Sequence, residues 1–330
     1  MNSIDYIYQK TKAIEKYLQD IEVAKRVIDL MPQKPHIEEN LRRKSMLKSA
    51  LYSARIEGNR LRLEDIEHLT PSEQKKSRIK KEVFNIISGL HWILLGKHCI
   101  NLKTILKLHS FVMAGISPEG GFLRTEHSAI FNQAGVAVYM TSPPNEIKNS
   151  LIKLINYINK SKEHVLIKSA MAHLAFEKIH PFIDGNGRVG RLLSVLILNN
   201  SGYGFRGMVH QEEYIEGNRD DYYYYLSSNK REITGFVEFI LKALSSQAEK
   251  AIESLKKTKD EKPENILLSR RREMLDIIKD HREVSYDFLR RRFLAISEST
   301  LHYDLKCLTR DNYIIKRGST RGAVYAVREI

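Results

Sequence analysis

Twelve residues, His180-Pro181-Phe182-Ile183-Asp184-Gly185-Asn186-Gly187-Arg188-Val189-Gly190-Arg191, constrain this chain more than any other stretch. Before them, Ala170, Met171, Leu174, Ala175 and Ile179 share one helical face. After them, Leu192 to Leu198 carries on an apolar helix that closes at Asn199-Asn200-Ser201-Gly202. The chain therefore runs helix, tight glycine turn, helix. Gly185 to Gly190 also spells G-x-G-x-x-G, but that dinucleotide fingerprint counts only after a strand inside a βαβ unit. No alternation of strands and helices surrounds it and no G-x-x-x-x-G-K-[ST] loop is present, so the doubly wound and P-loop readings are set aside.

The chemistry of this turn follows from its residue types. Gly185 and Gly187 let the backbone turn sharply and approach a ligand closely. The following helix aims its unpaired N–H groups and positive dipole end at an anion, which makes residues 185–188 a phosphate cradle. Arg188 and Arg191, one helical turn apart, can both face it. Asp184 at its edge suits Mg2+, a hard cation that prefers oxygen ligands. His180 suits deprotonation of an attacking hydroxyl, and Phe182 suits an anchor for the loop. Singly, each has an ordinary reading: a packed histidine, a turn aspartate, arginines on a solvated face. Their joint spacing points to a polyphosphate and the transfer of part of it.

At every fixed position the string matches H-x-F-x-[DE]-G-N-G-R-x-x-R, and in this it resembles the Fic (filamentation induced by cAMP) family. The resemblance implies a mainly α fold, a helical Fic core with a β-hairpin flap. It implies a protein adenylyltransferase that moves AMP from ATP to a Ser, Thr or Tyr hydroxyl of a target protein. Carried onto this chain, His180 would be the general base and Asp184 would hold Mg2+. Gly185, Asn186 and Gly187 would form the anion hole, and Arg188 and Arg191 would bind the outer phosphates. The flap, which in the family holds the target segment by strand addition, would be the hairpin read at 129–141. Within Asn218-Arg219-Asp220-Asp221-Tyr222-Tyr223-Tyr224-Tyr225, Tyr222 and Tyr223 are the candidates to line the adenine, with Asn229 beyond them. Ser53-Ala54-Arg55-Ile56-Glu57-Gly58 matches the family's inhibitory motif [ST]-x-x-x-E-[GN]. The resemblance implies that Glu57, on one helical face with Ser53, pairs with Arg191 and denies it to the γ-phosphate. The string Ile-Glu-Gly-Asn-Arg recurs at 215–219, but Glu212 stands where the motif wants Ser or Thr, so only the first copy fits.

Most other segments read as helices: 3–30, 37–57, 63–69, 77–96, 101–114, 145–160, 163–179, 187–200, 211–228 and 231–256. Lys256 to Pro263 is charged and poor in apolar residues, and reads as a linker. The expected organisation is an N-terminal helical region at 1–75 with the inhibitory helix, a catalytic domain at 76–255, a linker at 256–263 and a C-terminal module at 264–330. In that module three helices are followed by two β-like runs, a winged helix-turn-helix pattern. Arg270, Arg271, Arg272, Arg290, Arg291, Arg292, Arg317 and Arg321 are its candidate phosphate contacts. The formal net charge of +14 suits a polyanionic partner or simply a lysine-rich surface.

The two cysteines, Cys99 and Cys307, sit far apart in sequence, and no signal peptide or membrane span is read, so a cytoplasmic location is expected. The partners expected are a target protein bearing a hydroxyl, DNA at the winged helix, and a second copy of the chain; no membrane is expected. Two other readings stay open. One is a Fic variant with another transfer: UMP, phosphate, phosphocholine or AMP removal. The other is a DNA-binding regulator whose Fic domain senses nucleotide.

Overall fold

The computed structural model describes residues 5–31, 35–66, 77–131, 137–260, 267, 269–294, 296–318 and 323–328. The chain divides into two compact units: residues 1–31 with 42–254, and residues 32–41 with 255–330.

The larger unit is helical around one central pair. α1 (Lys12–Leu30) and α2 (Pro35–Ile56) come first, followed by α3 (Arg78–Leu94) and α4 (Leu102–Val112). After a hairpin of β1 (Ala129–Phe131) and β2 (Ala137–Met140) come α5 (Ile147–Lys160), α6 (Val165–Ile179) and α7 (Asn186–Asn200). α8 (Glu212–Gly217), α9 (Arg219–Ser227) and α10 (Thr234–Asp260) follow. Almost every residue of α6 is buried, as is α7 as far as Leu198. A helix apolar on all sides belongs in the middle of a core. α6 lies against α5 and α7, while α3 and α4 pack on α7 and on each other. The close approach shows at Gly89, where an added Cβ would stand 2.9 Å from Leu192 Cδ1. The turn between α6 and α7 is thus built on the best-packed part of the unit.

Several boundaries differ from the sequence reading. The first helix begins at Lys12, because the Thr11 side chain caps it by accepting from the Ile14 N–H. Ile7 instead pairs in parallel with Glu232 and is 64% exposed. The segment read as one helix at 211–228 is two, broken at Asn218, whose ψ of 42° is not helical. α10 runs on to Asp260, into the stretch read as linker, because a charged sequence without Gly or Pro has no helix breaker before Pro263. Of the helix read at 63–69, residues 63–66 form a turn and the rest lies outside the described residues. Ala134 and Gly135, the expected tip of the flap, also lie outside them. β1 and β2 pair antiparallel, Ala129 with Met140 and Ile130 with Tyr139.

The smaller unit orders its elements as α11 (Ser269–His281), β3 (Glu283–Ser285), α12 (Tyr286–Arg292), α13 (Glu298–Arg310), β4 (Ile314–Arg317) and β5 (Val324–Val327). β5 is the middle strand, antiparallel to both β3 and β4. Sequence reasoning missed β3, which is too short to show alternation. Leu275, Ile278, Leu289, Leu301, Leu305 and Ile314 form the centre of the core. Ser285 caps α12, as its sequence position suggested, accepting from the Phe288 N–H at 3.2 Å. Asp304 is fully buried and takes Arg271 at 2.8 Å and Arg270 beside it. Arg290 donates to the carbonyls of Phe293 and Ile296. Three arginines proposed as phosphate contacts are therefore occupied inside the unit, because a buried carboxylate and open helix-end carbonyls need cationic donors.

Candidate active site at the turn between two buried helices

His180 ends α6 in the left-handed region at φ 49°, and its N–H closes the helix on the Phe176 carbonyl at 2.9 Å. Nδ1 lies 3.2 Å from the Glu177 carbonyl oxygen. A carbonyl only accepts, so Nδ1 carries the proton and Nε2 keeps a lone pair. Burial, followed by the Arg124 charge, pulls His180 below the ordinary imidazole range against the opposing effects of Glu57 and Asp184. The side chain is therefore a neutral base at pH 7.

The turn itself is pinned from inside. Asn186 accepts from the Phe182 N–H at 2.8 Å and donates to the Phe182 carbonyl at 2.7 Å. The Phe182 ring is fully buried and stacks on His109 at 3.7 Å. Gly185 stands at φ 85°, where an L side chain would be strained. Asp184 Oδ1 accepts from the Gly185 N–H and from Arg188 Nη2, each at 2.6 Å, and Oδ2 takes Arg78 at 3.2 Å. Asp184 is 44% exposed. Among the described residues no cluster of three or more His, Cys, Asp or Glu side chains could hold a metal by itself. Asp184 instead fits a hard cation that takes one carboxylate and completes its shell from phosphates and water.

Arg191 lies behind the turn and is 1% exposed. Nε donates to Ser53 Oγ at 2.9 Å, and Nη2 donates to the Ser53 carbonyl at 2.8 Å and to Glu57 Oε1 at 2.9 Å. Burial works against the guanidinium, but Glu57, Tyr222 and Glu177 together hold it protonated above its ordinary value. The same Glu57 oxygen stands 2.2 Å from where a Cβ on Gly187 would be. A carboxylate oxygen is thus lodged against the first turn of α7, the place where a helix N-terminus receives an anion.

The three residues expected around a base are placed differently from one another. Tyr222 is 1% exposed, its hydroxyl 2.8 Å from His173 Nε2, so it is an interior residue. Tyr223 donates to the Ile56 carbonyl at 3.2 Å, at the end of α2. Asn229 is exposed past the end of α9.

Sequence reasoning missed four contributors. His109 is neutral, pulled down to about 4 by burial; it accepts from the Gly121 N–H at 2.9 Å and donates to the Asp184 carbonyl at 3.1 Å. Arg124, 4% exposed, donates to the His180 carbonyl at 2.7 Å and to Thr141 Oγ1 at 2.9 Å, and so ties the hairpin to the histidine. A lone His or Arg with no local pattern gives no signal for such long-range contacts. The second Ile-Glu-Gly-Asn-Arg copy supplies the other two. Glu216 pairs with Arg55 at 2.9 Å, and Arg219 donates to the Arg55 carbonyl at 3.3 Å. The repeat thus grips the end of α2 that presents Glu57.

Comparison with known proteins agrees with this geometry. The sequence pattern of the Fic/DOC family matches residues 99–198, which contain the turn, α6 and all but the last two residues of α7. A protein adenylyltransferase Fic of Drosophila mojavensis is 30% identical over 201 residues, covering 57% of this chain and 38% of the relative. The protein of that name in Drosophila yakuba is 26% identical over 238 residues, covering 68% and 46%. The chain thus spans less than half the length of these two relatives. In three dimensions it is similar to a Fic family protein from Desulfovibrio desulfuricans, with a TM-score of 0.66 and 24% identity over 97% of each chain. It also resembles Fic-1 of C. elegans, with a TM-score of 0.60 and 23% identity over 74% of this chain and 73% of that one. The fold, the matched pattern and the motif turn agree: residues 99–198 are a Fic/DOC family domain.

Proposed function

We propose that the chain is a protein adenylyltransferase held in check by Glu57. One observation carries the reading: an anionic oxygen already seated between Gly187 and Arg191, where a nucleotide phosphate would otherwise lie. With Glu57 displaced, the amides of residues 185–187 and the positive end of α7 receive the phosphates. Arg188 and Arg191 hold the outer ones. His180 Nε2 accepts the proton of a Ser, Thr or Tyr hydroxyl as its oxygen bonds to the α-phosphorus of ATP. The bond to the β-phosphate breaks and pyrophosphate leaves, with AMP now on the target. Mg2+ on Asp184, when bound, would neutralise phosphate charge. The β1–β2 hairpin, joined to His180 through Arg124, offers an edge on which a target segment could add as a strand. The relatives' name supports a protein as the target.

Glu57→Gly should raise transfer of label from α-labelled ATP onto protein, and adding His180→Ala should abolish it. Unchanged labelling in Glu57→Gly would remove the brake. Labelling that survives His180→Ala would remove the mechanism.

For the smaller unit we read a winged helix with DNA as its partner. Its order of helix, strand, two helices and a hairpin supports that reading. So do the exposed Arg272, Arg291 and Lys306. Among the described residues no helix is long and apolar enough to cross a membrane.

A further inference from the structure

Behind the turn, α6 carries a second carboxyl that the proposed transfer does not use. Glu177 is 3% exposed and lies directly against α7. A Cβ on Gly190 would stand 2.3 Å from its Oε1 and 3.3 Å from His173 Nδ1, so the glycine is what lets this carboxyl sit beside Arg191. Oε1 of Glu177 and Nη1 of Arg191 are both buried, and neither has a hydrogen-bond partner among the described residues. Arg191 is thus a buried cation flanked by Glu57, just past the end of α2, and Glu177 from α6, and of these two carboxyls only Glu57 bonds it.

Resting on the reading of Glu57 as a displaceable brake, we propose that Glu177 is a positioning residue for Arg191. It is a reserve counter-ion that ionises when Glu57 departs and keeps the guanidinium at the turn until a nucleotide phosphate replaces it. A buried guanidinium without an anion is costly, and loss of the Glu177 proton to solvent removes that cost without moving the backbone.

The surroundings agree. With Glu57 in place, burial pushes Glu177 up to about 8; Arg191 pulls it down and Glu57 adds to the rise. At neutral pH the carboxyl is therefore protonated and Arg191 has a single ionised partner. Departure of Glu57 removes one of the two raising influences and leaves burial opposed by Arg191, so Glu177 gives up its proton more readily. An incoming phosphate restores an anion beside Arg191 and the proton returns. Release of the brake thus sheds a proton and is favoured as pH rises toward 8, whereas nucleotide capture takes one up. Of the other titratable groups facing this space, the two histidines and the two tyrosines hold fixed charge across that range. On α6 itself, His173 is pulled down to about 3 by burial and by Arg191 and stays neutral. His180, just beyond α6, is lowered by burial. From α9, Tyr222 and Tyr223 are raised far above their ordinary value, chiefly by burial. From α8, Glu212 is raised by burial and accepts from Ser49 Oγ on α2 at 3.1 Å, away from Glu177's Oε1.

Calorimetric titration of the Glu57→Gly chain with a non-hydrolysable ATP analogue and Mg2+, in buffers of different ionisation enthalpy near pH 8, counts protons taken up per nucleotide. Uptake is expected in Glu57→Gly, loss of most of it on adding Glu177→Gln, and its return with Glu177→Asp instead. Nucleotide binding with a proton count insensitive to Glu177→Gln overturns this inference alone. No nucleotide binding by Glu57→Gly in any buffer overturns the reading of the site as well. A measurement that leaves Glu177 in place guards against misfolding: the carbon-13 carboxyl titration of Glu177 should shift to lower pH in Glu57→Gly than in the unaltered chain, both without nucleotide. An unchanged midpoint overturns the proposal.

Discussion

His180 holds a left-handed backbone that costs a non-glycine residue about 1–2 kcal/mol. The strain persists because both its backbone groups are used, the N–H on Phe176 and the carbonyl by Arg124 Nε. What it gains is direction: Nδ1 is committed to the Glu177 carbonyl, so the basic nitrogen is Nε2. The pH dependence of turnover follows with a definite sign. The base must be neutral, and burial disfavours the imidazolium, so protonation sets in below the ordinary imidazole value. Glu57 is one of the charges that raise His180, so removing it moves protonation lower still. Transfer by the Glu57→Gly chain should stay level as pH falls to about 6.5 and decline only below that. A pH–rate profile with its acidic limb at neutral pH or above would show that a different group takes the proton.

At the level of elements, the sequence is most legible where one local rule decides the outcome. The turn between α6 and α7 is readable because Gly185, Asn186 and Gly187 each answer a local demand of a tight turn that opens a helix. The break at Asn218 has a local signal as well, Gly217-Asn218, two poor helix formers outweighed in the sequence reading by the run Tyr222 to Tyr225. Local rules do not reveal the grip on α2 that these two short helices provide. Nor does spacing reveal that grip: it disqualifies Glu216 as a brake residue and says nothing of its actual partner, Arg55. The pairing has a measurable consequence. Arg55 is partly exposed, which limits the Arg55–Glu216 pair to about 0.2–1 kcal/mol. Glu216→Ala should therefore loosen the end of α2 without freeing Arg191 outright, raising target labelling by a factor of roughly 1.4 to 5. Glu57→Gly should raise it much further. If Glu216→Ala labels no more than the unaltered chain, the second copy of the repeat does not restrain the brake.

On the scale of the whole molecule, a net charge of +14 names no partner by itself, because a charge total ignores which arginines are already spent. The smaller unit makes the point. Arg270 and Arg271 neutralise a buried aspartate and Arg290 closes helix-end carbonyls, so much of the tempting arginine clusters is internal fastening. Outward on α13 stand Glu298, Ser299, His302, Tyr303, Lys306 and Arg310, with Arg317 exposed on β4. A helix entering a groove reads bases with such side chains, while lysines and arginines neutralise phosphates. If this unit binds duplex DNA, affinity of the full chain should fall steeply with salt. Lys306→Ala with Arg317→Ala should then flatten the logarithmic slope by about 1.8, close to 0.9 for each phosphate that goes without its cation. Gel shifts across a salt series with a random duplex measure both slopes. A slope that the double substitution leaves unchanged would move the DNA-binding surface off this face, and an affinity indifferent to salt would take DNA off the list of partners.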